Sequence, residues 1–267
     1  ILNRGSAKRV TIDDFEVLKR ISSGAYGKVY LARKKKTRDL YALKVQRKAD
    51  MVRKNMVDNV IAERRVLSTI HNPFCVKLFY AFQNERHLYL VMEYCPGGDV
   101  ATLLHNLECF DLDMARVYAA DIVRSLEALH SMAYVHRDLK PDNILVNAKG
   151  HLLLTDFGLS SVGALEETRR EPTTTATATN ETTSTNDKPV RVVGTPDYLA
   201  PEMLLGTGHG PEVDWWALGI MLYEFLTGCP PFNDTSPEAI FGRILRRDIV
   251  WPDDMDADAR DLIERLL

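Results

Sequence analysis

"HRDLKPDN" (His136 to Asn143) places an aspartate two residues before a lysine and five before an asparagine. The run "NILVNAKGHLLL" that follows reads as a hairpin, with Gly150 closing its turn. Its far end delivers "DFG", Asp156 to Gly158. One loop thus offers a base (Asp138) and a cation (Lys140), and two side-chain oxygens (Asn143, Asp156) converge on it. That set suits phosphoryl transfer, because Mg2+ takes hard oxygen ligands and an attacking hydroxyl needs a positioned acceptor. A polar turn satisfying its own backbone would explain one aspartate, not this ordered set.

Upstream, residues 15 to about 46 alternate apolar and polar around glycines, which predicts antiparallel strands. In "LYALKV" the period of two puts Lys44 on the same face as Leu40 and Ala42. A helical pattern over 55–70 then turns Met56, Val60, Glu63, Leu67 and Ile70 inward. Glu63, inside an apolar stripe, is either a tolerated boundary residue or the partner of a buried cation, since a lone buried carboxylate is costly. Lys44 is the obvious partner. Before them, "ISSGAYGKV" (Ile21, Ser22, Ser23, Gly24, Ala25, Tyr26, Gly27, Lys28, Val29) carries two glycines whose backbone amides can approach phosphates. A dinucleotide-binding loop is excluded, because a strand and not a helix follows.

The strand "HLYLVMEY" ends at the break "CPGGD", and helical patterns follow. Residues 113–132 place Ala115, Ala119, Ile122, Leu126 and Leu129 on one face, and "DWWALGIMLYEFL" begins near Asp214. A strand-rich front and a helix-rich rear, joined near 94–98, predict an α+β chain of two lobes with a cleft between them. The lobes are expected over 15–95 and 96–267.

With 267 residues, 45% of them hydrophobic, the chain has ample material for a core. A net charge of −3 argues against nucleic acid as the partner, and "RKKK" at 33–36 reads as a solvated turn. Four cysteines without C-x-x-C spacing suggest neither a zinc site nor a disulfide framework, and point to a reducing compartment, the cytoplasm and also the nucleus. No apolar run is long enough to span a bilayer. Both ends read as cut, since the start lacks methionine and the end stops on a helical pattern.

Taken together, these motifs resemble the eukaryotic protein kinase family, from about Phe15 to Leu267. The resemblance implies a bilobal fold that uses ATP and Mg2+ to phosphorylate Ser or Thr in protein substrates. It implies that Lys44 holds the phosphates, Glu63 holds Lys44, Asp138 is the base, and Asn143 and Asp156 are magnesium ligands. It puts Met92 at the rear of an adenine pocket, with the backbones of Glu93 and Cys95 on the base, and Asp214 bracing the catalytic loop. Lys140 and Thr195 point to Ser/Thr rather than Tyr specificity. "DWWALGIMLYE" and "PPF" look like the AGC group; "KADMVRKNM", "GTGHG" and "RRDIVWP" look like its MAST, Greatwall and IRE-like branch. Two departures stand out. Ser22 replaces a loop glycine, and the chain stops before the arginine that would pair with Glu202.

"PTTTATATNETTST" (Pro172 to Thr185) holds eight threonines and nothing apolar larger than alanine. It lies between DFG and APE, in a separation of forty-one residues, and reads as a disordered insertion over about 163–190. Arg191 occupies the place where many AGC kinases carry a phosphorylatable threonine. Ordering is therefore expected from elsewhere: a phosphate in the tract, Thr195, or a regulatory partner docking on the small lobe. Two rival functions compete with this one. An interaction scaffold on the same fold would lack part of the catalytic set, which is complete here. A small-molecule phosphotransferase would not need a full activation segment to receive a peptide.

Overall fold

The computed structural model describes residues 9–24, 27–162 and 195–267. The predicted insertion, Arg191, Ala25 and Tyr26 lie outside them.

The alternating front becomes a five-stranded antiparallel sheet of β1 (Phe15–Gly24), β2 (Gly27–Lys34), β3 (Leu40–Arg47), β4 (Leu78–Gln83) and β5 (His87–Glu93). Its spatial order is β1-β2-β3-β5-β4, which seats β3 at the centre. Gly27 has φ +136°, and a Cβ there would lie 2.5 Å from the Val45 carbonyl oxygen. Only glycine lets this strand pass that close to β3. The "RKKK" run straddles the end of β2 and an exposed turn, as read from its charge.

Between β3 and β4 lie a short helix α1 (Lys48–Arg53) and α2 (Val57–Thr69). Val60, Glu63 and Leu67 of α2, with Ile70 just beyond it, are buried as the spacing predicts. Met56 is only half-buried at the N-cap, and Val66 joins the buried face in its stead. Leu40 also departs from expectation: it begins β3 at the open end of the sheet and is exposed, although Ala42 and Lys44 are buried.

The rear is helical: α3 (Val100–Leu107), α4 (Leu112–Ser131), α5 (Pro201–Leu205), α6 (Glu212–Thr227), α7 (Pro237–Arg246) and α8 (Ala257–Leu266). Asp111 caps α4 by accepting from Met114 N at 2.8 Å, satisfying an amide that has no partner within the helix. On α4, Ala115, Ile122, Leu126 and Leu129 are buried, while Ala119 is half-buried. α6 is buried on nearly every side and forms the axis of this lobe. Two small ladders pair β6 (Tyr134–Val135) with β9 (Ser161–Val162), and β7 (Ile144–Val146) with β8 (Leu152–Leu154). The second is the predicted hairpin, with Gly150 at φ +84° in its turn. One hydrophobic core runs from Val66 and Leu67 of α2 through Leu90 and Met92 to Leu126 and Phe225. It ties the two lobes together behind the cleft. Among the described residues no helix is long and apolar enough to cross a membrane.

Candidate active site

A cleft of about 290 Å³ opens between the sheet and the helical lobe. Ile21, Val29 and Ala42 line it from the sheet, Met92 and Glu93 from the end of β5, Cys95 from just beyond it, and Leu145 from below. Lys44, Glu63, Asn143 and Asp156 lie at its deep end. Apolar walls suit a flat heterocycle, and the charged end suits phosphates. Of the predicted loop, Ile21, Ser22, Gly27 and Val29 line the cleft, and Gly24 pairs with Gly27 across the turn. Ser23 and Lys28 are exposed on the strands. Burial pushes the Cys95 thiol up to about 12, with Glu93 adding to the effect, so it stays protonated and unreactive.

Lys44 Nζ lies 2.5 Å from Glu63 Oε1 and 3.4 Å from Asp156 Oδ1. The Lys44 and Glu63 side chains are only 9% and 2% exposed, so the pair is shielded from water. Burial opposes the Lys44 charge, but the carboxylates of Glu63 and Asp156 outweigh it and hold the ammonium above its ordinary range. The boundary reading of Glu63 is thereby excluded.

Below, Asp138 Oδ2 lies 3.2 Å from Lys140 Nζ and accepts from Asn143 Nδ2 at 3.0 Å. Asn143 Nδ2 also donates to the Asp138 carbonyl at 2.8 Å, which leaves the amide oxygen as the end available to a cation. Lys140 donates to Thr195 Oγ1 at 2.7 Å and so joins the loop to the segment before APE. Arg137 and Asp156 both have positive φ, +68° and +59°. Such backbone persists only where its surroundings fix it. Asp214 provides part of that: its carboxylate accepts from His136 N at 2.8 Å, Arg137 N at 2.9 Å and His130 Nε2 at 2.8 Å. His136 in turn reaches the Thr155 carbonyl, next to Asp156.

Among the described residues no three His, Cys, Asp or Glu side chains gather as a metal cluster. Two oxygen ligands, Asn143 and Asp156, fit a Mg2+ ion that takes its remaining ligands from phosphates and water. The cleft and its donor set thus match the nucleotide and ion implied by the sequence.

Sequence reasoning missed His130 and Tyr198. His130 is signalled by its place on the last turn of α4, just before the His136–Asn143 loop. Tyr198 donates from its hydroxyl to Glu224 Oε2, a contact no local pattern announces. Glu202 makes no side-chain ion pair among the described residues.

The family description "Protein kinase domain" matches residues 15–267. The chain belongs to the protein kinase domain family, and its fold is the bilobal one of that family. It is 49% identical, over its full length, to "Probable serine/threonine protein kinase IRE" of Arabidopsis thaliana, covering 24% of that protein. It is 51% identical over 97% of its length to "Probable serine/threonine protein kinase IREH1" of the same plant, covering 21% of it. Against "Serine/threonine-protein kinase YPK1" of Saccharomyces cerevisiae the identity is 42% over 97% of the chain and 35% of the relative. The chain spans about a third or less of each of these relatives.

Proposed function

We propose that this domain is a serine/threonine protein kinase, transferring the γ-phosphate of ATP to hydroxyls of protein substrates. The observation that carries this reading is that two assemblies meet at the deep end of the cleft: Lys44 clamped by Glu63 against Asp156, and Asn143 tied to Asp138, which Lys140 flanks. When bound, ATP and Mg2+ supply the phosphoryl group and a charge-neutralising cation. Lys44 meets the phosphates, and Glu63 keeps Lys44 from swinging away. Asn143 and Asp156 offer the oxygens that hold the ion. The Asp138 carboxylate accepts the proton of the attacking hydroxyl, and Lys140 neutralises charge beside it. No observation favours the scaffold reading. Transfer to a serine peptide, followed by mass spectrometry, should cease when EDTA removes Mg2+ and return on its addition. Transfer that persists in EDTA contradicts the ion's role.

The finer assignment, to the IRE-like, MAST and Greatwall branch of the AGC group, rests on "KADMVRKNM" and "RRDIVWP" and on the likeness to the Arabidopsis proteins. A regulatory partner on the small lobe is proposed as well, with a cytoplasmic or nuclear setting suited to four free cysteines.

Asp99, Asp142 and Glu224 are proposed to receive substrate arginines two or three residues before the target. Asp99 spends Oδ1 on capping α3, accepting from Thr102 N at 2.7 Å, and keeps its second oxygen for a ligand. Burial, and then the charges of Asp142 and Asp197, push the Glu224 carboxyl up to about 7, against the opposing hydrogen bond from Tyr198. The raised value sets the sign: the carboxylate is present above about pH 7 and takes a proton as pH falls through it. Arginine peptides should therefore beat alanine peptides by about tenfold in kcat/KM at pH 8, the worth of a charge-assisted hydrogen bond. The advantage should shrink towards pH 6, and Glu224→Gln should remove its pH dependence. Equal rates for both peptides at pH 8 would sink the assignment.

A further inference from the structure

β3 carries a second polar side chain on the face that holds Lys44. Gln46 lies two residues on, where the strand's period of two returns to that face, and it is fully buried. Its amide nitrogen donates to Glu63 Oε2 at 3.3 Å, while Glu63 Oε1 takes Lys44 at 2.5 Å. The two carboxylate oxygens are thus divided between two β3 side chains. That fork fixes both the rotation of the carboxylate and the distance of α2 from the sheet. Lys44 alone would fix neither, because its ammonium is a point charge on a flexible stem and meets Glu63 through Oε1.

The other end of the amide explains why this contact is not incidental. Gln46 Oε1 is buried and has no hydrogen-bond partner among the described residues. An apolar side chain of the same length would fill the space without stranding a buried acceptor. The flipped amide is no escape, since it would set its oxygen against the Glu63 carboxylate, which only accepts. The fold thus keeps a polar amide at the centre of its sheet, and the hydrogen bond that amide makes among the described residues is with the side chain that orients Lys44.

We propose that Gln46 is a positioning residue for phosphoryl transfer, locking the Glu63 carboxylate and with it α2 in the arrangement that presents Lys44 to the nucleotide phosphates. This inference rests on the kinase reading of the same cleft. It acts through Glu63; Gln46 touches no reacting atom. α2 also packs on the turn Phe157–Leu159 that follows Asp156. A carboxylate free to rotate would let the helix drift from both.

Gln46→Met keeps the side chain's length and apolar contacts and removes only the amide; Gln46→Leu serves as a second variant if the first folds poorly. Both are to be made in the whole chain, with wild type alongside. Two quantities are read: kinetic constants with a serine peptide, and amide hydrogen exchange across Val57–Thr69. We expect kcat to fall about tenfold with KM for ATP changed little. The α2 amides should exchange about tenfold faster, with a melting temperature unchanged or higher. In a Glu63→Gln background the same substitution should add little to α2 exchange, because the shared carboxylate is already lost. Wild-type exchange and kcat in Gln46→Met overturn the inference. So does an equal acceleration in both backgrounds accompanied by a lower melting temperature, which marks a packing residue. If wild type transfers no phosphate, the kinase reading fails instead, and α2 exchange alone still decides whether Gln46 holds the helix.

Discussion

Lys44→Met is expected to lower phosphoryl transfer by about a thousandfold or more while the chain still folds. Lys44 is the cation that meets both Glu63 and Asp156 at the deep end of the cleft. Methionine matches its length but offers no charge to the phosphates. The substitution also strips a buried carboxylate of its counter-ion. Burial already drives the Glu63 carboxyl upward, and Lys44 is the largest influence holding it down. Without Lys44, Glu63 is expected to bind a proton at neutral pH and keep only its contact with Gln46. Breaking a buried pair in this way costs about 3 kcal/mol or somewhat more. A domain core running from α2 to α6 should survive that loss with a lower melting temperature. Steady-state transfer to peptide, beside circular dichroism, checks both halves. Near wild-type turnover in purified, folded Lys44→Met would refute the role.

Asp138→Asn should be comparably damaging, by roughly a thousandfold in kcat, for a different reason. An amide oxygen cannot take a proton from the attacking hydroxyl. The ion pair with Lys140 and the hydrogen bond from Asn143 would both lose their charged acceptor. Asp214 holds the loop's backbone independently, through His136 N and Arg137 N, so the loop should keep its path. KM for ATP should therefore move little while kcat collapses. A variant that loses ATP affinity in proportion would point to a disordered loop instead of a missing base. Calorimetric titration with ATP separates the two.

Much of this site could be read from the chain alone because its parts are local. Asp138, Lys140 and Asn143 share one loop, and a short hairpin returns Asp156 to them. Lys44 and Glu63 were legible for another reason: each is a charge out of place on an apolar face, and a buried charge requires a partner. The same logic should have reached Gln46, which shares the Lys44 face. A neutral amide breaks a hydrophobic pattern less loudly than a charge does, and "KVQRK" reads as a strand running out into polar surface. Asp99 also caps α3, and an Asp three residues before Thr102 is a capping signal that the sequence carries. The Tyr198–Glu224 contact spans elements whose docking depends on α6, which no local pattern places. Leu40 and Met56 misled because periodicity assigns a face to every residue of an element, yet the terminal ones lie beyond the neighbour that would cover them.

The proposed function couples a phosphate-holding lysine in the cleft to a proton-accepting aspartate beside it for transfer to serine and threonine. It is tested most directly by an array of Ser, Thr and Tyr peptides incubated with ATP and Mg2+, using wild type and Asp138→Asn side by side. Phosphate on serine and threonine peptides with wild type, and background only with Asp138→Asn, is the predicted result. Labelling by both proteins alike, by neither, or on tyrosine alone would contradict it.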